Sequence, residues 1–209
     1  MSVRRAGPWS AAERRVLDRL TTPRAIQDFL DATPYSTEPI YRSPRDVLRD
    51  RRAHCVDGAL FAAMALERLG LPPLVLDLRA VRDDDHVIAV FGVDGLLGAV
   101  AKSNTSGLRF REPIHRTARE LALSYFADYY NTKREKTLRS YSRPFDLRRL
   151  DALGWRTDAT RLEELVARLD RLRHFPLLDA AAIARLAPVD DLAYRAGFLD
   201  ADADGLFPA

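Results

Sequence analysis

From Cys55 to Leu69 the apolar residues Val56, Ala59, Leu60, Ala63, Met64, Leu66 and Leu69 return every three or four positions. That spacing predicts a helix with one broad buried face. Gly70 supplies a left-handed stop, and Pro72 and Pro73 forbid continuation. Three short β runs follow, at Leu74 to Leu78, His86 to Phe91 and Leu96 to Ala101. Asp94-Gly95, between the last two, is a two-residue hairpin signal. Pairing Val93 with Leu96 and carrying that register along the ladder sets His86 opposite Ser103, within roughly 5 Å. One bulge, which Gly98 would host, sets Asn104 there instead.

Polar caps and prolines organise the flanks. Ser10 caps a helix to Leu20, with Glu13 completing a capping box. Pro23 starts a second, and Ser43-Pro44 opens a third after a loop with Pro34 and Pro39. Beyond the hairpin, Gly107 to Pro113 is extended or loop, and Thr117 caps a helix whose apolar face includes Leu121, Tyr125 and Tyr129. A strand over Thr137 to Tyr141 and an irregular stretch to Trp155 come next. Helices through Leu162 to Leu169 and Ala180 to Leu186 follow, and residues from Asp200 are expected to fray. The pattern is α+β: a helix bearing Cys55 packed on a small antiparallel sheet, with helical additions at both ends. Residues 1–142 form the core with its N-terminal helices, and residues 143–209 a helical extension.

Composition narrows the function. The 209 residues are 47% hydrophobic and 30% charged, enough for a core and for a soluble surface. The net charge is only +3, and no basic cluster interleaves with stacking aromatics, so neither nucleic acid nor membrane is an expected partner. A single cysteine allows no internal disulfide and fits a reducing cytoplasm. No apolar signal core follows Met1-Ser2-Val3-Arg4-Arg5.

The chemistry lies between Ala53 and Asn104. Cys55 opens a helix, where the dipole and unpaired N–H groups favour thiolate. His86 opens a strand, and Ser103 and Asn104 close the next. A nucleophile, a base and a group to hold the base, in that order, point to thiol attack on an amide or ester. His54, adjacent to Cys55, is not expected to be its base, and His174, just past a helix end, is assigned no chemistry.

This stretch resembles the transglutaminase-like branch of the papain-like cysteine enzymes. The resemblance rests on the cysteine at a helix start, the run Ala62-Ala63 followed by Leu69-Gly70-Leu71-Pro72, the histidine opening a later strand, and the third polar position closing the strand after it. It covers roughly Ser43 to Phe110. It implies a cysteine-dependent amide-bond hydrolase or acyl transferase, with Cys55 as nucleophile, His86 as its ion-pair partner and Asn104 or Ser103 as orienter, acting without cofactor or metal on a peptide, protein or small amide. Two positions depart from the family pattern. Its usual aspartate is replaced by Lys102-Ser103-Asn104, and its aromatic residue two after the histidine is Ile88.

Two other classes are compatible with the residues. One is a non-catalytic binding or scaffold protein that keeps the fold. The other is a metal-dependent hydrolase using His54, Asp57, Asp85 and His86.

Overall fold

The computed structural model describes residues 9 to 208, so the reading of Met1 to Arg5 lies outside the described residues. Helices α1 (Ala11–Leu17), α2 (Pro23–Asp31) and α3 (Pro44–Asp50) precede α4 (Cys55–Arg68). Each of the first three starts at a hydroxyl cap, Ser10, Thr22 and Ser43, whose oxygen accepts a backbone N–H three residues on. Helix α4 ends near Gly70, which takes φ +88°.

The strands are β1 (Leu74–Ala80), β2 (His86–Val93), β3 (Leu96–Val100) and β4 (Arg111–His115), then, after α5 (Ala118–Leu123), β5 (Leu138–Ser142) and β6 (Phe145–Asp146). Helix α6 (Leu162–Asp170) leads to β7 (His174–Pro176), α7 (Ala180–Ala184) and α8 (Asp191–Gly197). Among the described residues the strands form one seven-stranded antiparallel sheet, in the order β4-β3-β2-β1-β5-β7, with β6 also pairing β1. The fold is therefore α+β.

The residues past 143 are less helical than their pattern predicts. Phe145–Asp146 and His174–Pro176 add strands to the same sheet, and Leu147–Leu153 is 3-10 helix. Helix α6 has Arg161 at its cap position, with no side-chain hydrogen bond to the first turn. Residues 200–208 are not frayed in the structure: Asp202 caps a 3-10 turn over Ala203–Gly205, and Asn104 holds its backbone.

Strand alternation sends the sheet's side chains to two cores. Val75, Val87, Ala89, Phe91 and Val100 pack with α4, which buries every residue from Val56 to Leu66. Leu76, Leu78, Ile88 and Val90 pack on the other face with Leu121, Tyr125 and Tyr129. No helix among the described residues is long and apolar enough to cross a membrane.

Candidate active site at the start of α4

The hairpin turn is as its residues dictate. Asp94 and Gly95 take φ +50° and +79°, and Val93 pairs Leu96 without a bulge as far as Ala89 and Val100. The irregularity near Gly98 lies on the β4 side instead, where a Cβ would fall 2.7 Å from the Arg111 carbonyl oxygen. The ladder then stops, short of the position that would face His86. Gln27 on α2 takes over: its side-chain oxygen accepts the Ala101 N–H at 3.0 Å and its nitrogen donates to the Ala101 carbonyl at 2.9 Å. Lys102, 5% exposed, donates its ammonium to the carbonyls of Leu30 and Thr33 at the end of α2. Its stem crosses Gly58 so closely that a Cβ there would lie 2.2 Å from the Lys102 Cβ.

That capture redirects Ser103 and Asn104. The Ser103 hydroxyl accepts the Thr105 N–H at 3.0 Å, and the Asn104 side chain bonds the backbone of Asp202. Neither hydrogen-bonds His86, and the expectation that one of them holds the ring is corrected. The carbonyl of Leu108 does so, 2.9 Å from Nε2.

A carbonyl only accepts, so Nε2 of His86 carries the hydrogen and Nδ1 keeps its lone pair. Among the described residues Nδ1 has no hydrogen-bond partner. His86 is 4% exposed and lines the same pocket as Cys55. Alternation places the ring on the α5 face, where its partner across the ladder is Leu78 and the rings of Tyr125 and Tyr129 lie edge-on at 6.3 and 6.5 Å. Burial, with a smaller push from Arg111, lowers His86 to about 4.

Cys55 is the first residue of α4 and half-buried. Its Sγ lies 3.9 Å from the Asp85 carbonyl oxygen. The Asp77 N–H turns to Ser142 at 3.0 Å, so the Asp77–Val87 pair leaves the Val87 N–H on the side of β2 that β3 has vacated. The N–H groups of Val87 and Val56 both favour the thiolate, but burial outweighs them, and the charges of Asp84 and Asp57 add to it. The thiol is pushed up to about 12. Burial thus works against the expected thiolate–imidazolium pair, favouring the neutral thiol and the neutral imidazole over the pull of the helix dipole.

His54 is the cap of α4. Its Nδ1 accepts the Val56 N–H at 3.2 Å, so Nε2 is the N–H and donates to Ile40 at 3.1 Å. Burial lowers it to about 4. Asp57 closes the capping box, accepting from the backbone of His54 at 3.2 Å and of Arg42 at 2.7 Å, and burial still raises it to about 7. Asp85 accepts from the Ala80 N–H at 2.8 Å. The four residues of the metal reading are therefore committed elsewhere, and no three His, Cys, Asp or Glu side chains among the described residues group as metal ligands.

Two spaces meet at Cys55. A pocket of about 70 Å³ is lined by Cys55, His86, Ser103, Asn104, Leu108 and Tyr129. A cleft of about 460 Å³ is also lined by Cys55, together with Tyr35, Tyr41, His54, Asp77 and Asp85.

Three contributors escape the sequence reading. Leu108 acts through a backbone carbonyl, which has no side-chain signature. Gln27 is a buried amide on an otherwise ordinary amphipathic helix. Asp77 and His174 form a buried pair, Oδ2 to Nε2 at 2.9 Å, with His174 Nδ1 donating to Leu172 at 2.8 Å. Desolvation raises Asp77, with Asp85 adding to the rise and His174 opposing it. Its signal is a carboxylate at an inward position of the run Leu74-Val75-Leu76-Asp77-Leu78. Comparison of the chain with models of known protein families gives no match, and comparison with curated proteins gives no relative.

Proposed function

We propose that the chain is a cysteine-dependent amide-bond hydrolase or acyl transferase with a transglutaminase-like core. The observation that carries the reading is the pocket lined by both Cys55 and His86, with the ring fixed through Nε2 on Leu108. A backbone carbonyl in that place supports the tautomer a base needs, as a carboxylate or amide side chain does in related triads. The substrate is a peptide or small amide that enters by the cleft.

Burial favours the neutral form of both partners, which suits His86 to act as a general base rather than as half of a standing ion pair. Its Nδ1 takes the Cys55 proton as sulfur attacks the carbonyl carbon, and the imidazolium then protonates the leaving amine. The backbone N–H of Cys55, at the positive end of α4, is a donor for the oxyanion. Water releases the acyl group in hydrolysis, and an amine releases it in transfer.

One observation favours a second reading, a binding or scaffold protein without chemistry: the thiol is pushed up to about 12 and makes no hydrogen bond to His86 among the described residues. Acylation separates the two. On exposure to p-nitrophenyl acetate the enzyme reading expects one acetyl group on Cys55 by intact mass and peptide mapping, and at least a hundredfold slower labelling in His86→Ala. Equal labelling of native protein and His86→Ala supports the scaffold.

A further inference from the structure

One wall of the cleft beside Cys55 is a peptide segment from the far end of the described chain. Residues 204–208 line it, and Gly205, Leu206 and Phe207 line both spaces that Cys55 also lines. Asn104 holds this segment by its main chain alone: its Nδ2 donates to the Asp202 carbonyl at 2.8 Å, and its Oδ1 accepts the Asp202 N–H at 2.9 Å. A side-chain amide that takes both backbone groups of one residue reads an extended peptide without regard to that residue's side chain. Three residues on, Gly205 passes through a constriction. A Cβ there would stand 3.0 Å from Asn104 Nδ2, 3.0 Å from Tyr35 and 3.1 Å from Thr37. The Asn104 amide therefore reads Asp202 without regard to its side chain, and Gly205 sits where any Cβ would crowd three side chains at once.

The segment is held lightly, and what precedes it is held firmly. The Tyr130 hydroxyl donates to Ala193 at 2.6 Å and lies where a Cβ on Gly197 would stand, at 1.8 Å. Ser106 donates to Ala196 at 2.8 Å. Helix α8 is thereby docked. Beyond it the chain bends at Asp200, which takes φ +59°. From Asp202 to residue 208 the two bonds to Asn104 are the only hydrogen bonds among the described residues that tie the segment to the rest of the protein. The arrangement is a docked helix, a bend and a two-bond latch.

We propose that residues 202–207 are an in-chain peptide ligand of the Cys55 cleft, seated by Asn104 and admitted by Gly205, and that a peptide of the same pattern reaches Cys55 only when this segment leaves. The inference rests on the Cys55 cleft of the proposed function, but its test does not need that function's chemistry.

The test reads access to the thiol in the full chain. Cys55 is alkylated with iodoacetamide at one fixed pH in the native protein, in Asn104→Ala and in Gly205→Leu, with circular dichroism and melting to confirm the fold. Losing the latch is expected to raise the rate roughly tenfold, the effect of about two neutral hydrogen bonds. The synthetic peptide Asp-Ala-Asp-Gly-Leu-Phe-Pro, added to Gly205→Leu, is expected to slow alkylation again in a saturable way. The same peptide with leucine in place of glycine is expected to have no effect. Native rates in both variants, or acceleration that the glycine peptide does not reverse, overturn the proposal. Because alkylation needs no His86, the latch can hold in a protein with no acyl-transfer activity and can fail in an active one.

Discussion

At the turn, the β2–β3 hairpin follows the two residues that make it; at the open end it follows α2. Asp94 and Gly95 adopt the left-handed pair their types favour, and the register from Val93–Leu96 runs unbroken to Ala89–Val100. Past Val100 the side chain of Gln27 occupies both backbone groups of Ala101, and Lys102 is drawn across Gly58 onto the end of α2. A turn governs the pairs near it. Farther out, any partner that satisfies buried backbone groups competes on equal terms, because each unmet group costs about 1–3 kcal/mol. The site lies at the open end, so tertiary capture rather than turn chemistry decides what stands beside His86.

Four substitutions grade that contrast. Gly58→Val strikes the crossing directly and should cost more than about 3 kcal/mol, seen as a lower urea midpoint with an unchanged slope, because the contact is backbone and stem rather than a flexible tip.

His86→Phe tests the enclosure through pH. The folded protein holds His86 down to about 4 against 6.5 for the free group. A depressed basic pKa means that the unfolded chain binds the proton first. The native histidine therefore contributes full stability above pH 6.5 and loses it as pH falls toward 4. The stability of the native protein relative to His86→Phe should drop by about 3 kcal/mol across that window in paired denaturant titrations. Subtraction removes the opposite trend of Asp57, whose raised pKa makes folding less favourable as pH rises toward 7.

Gln27→Leu strands the Ala101 N–H and carbonyl and should cost about 2 kcal/mol, with faster amide exchange at Ala101 as the local sign. At the turn, Gly95→Ala should cost only about 1 kcal/mol, the left-handed penalty, and leave the open end and Cys55 alkylation unchanged. A larger loss at Gly95 than at Gln27 would invert the contrast.

Much of the frame is legible in the sequence because it is local. The apolar spacing of 55–69, the stop at Gly70 and the Asp94-Gly95 turn each act within a few residues, and each is found where its chemistry places it. Cys55 at a helix start and His86 at a strand start are legible for the same reason. What holds and tunes them is not. Leu108 contributes an oxygen every residue has, Asn104 is claimed by a residue 98 positions away, and His174 meets Asp77 across 97. The thiol's protonation is a balance between the α4 dipole and burial, and only the fold shows that burial is the larger.

The central claim, that His86 is the base for Cys55, is tested most directly by the pH profile of Cys55 acylation by p-nitrophenyl acetate. With a neutral thiol near 12 and an imidazole near 4, a base-assisted attack has its working protonation state throughout pH 5 to 9. The native protein should therefore show a nearly flat rate over that range. In His86→Ala only free thiolate reacts, so the rate should be at least a hundredfold lower at pH 6 and climb about tenfold per pH unit. A native profile that itself climbs tenfold per unit and overlays that of His86→Ala would contradict the dyad.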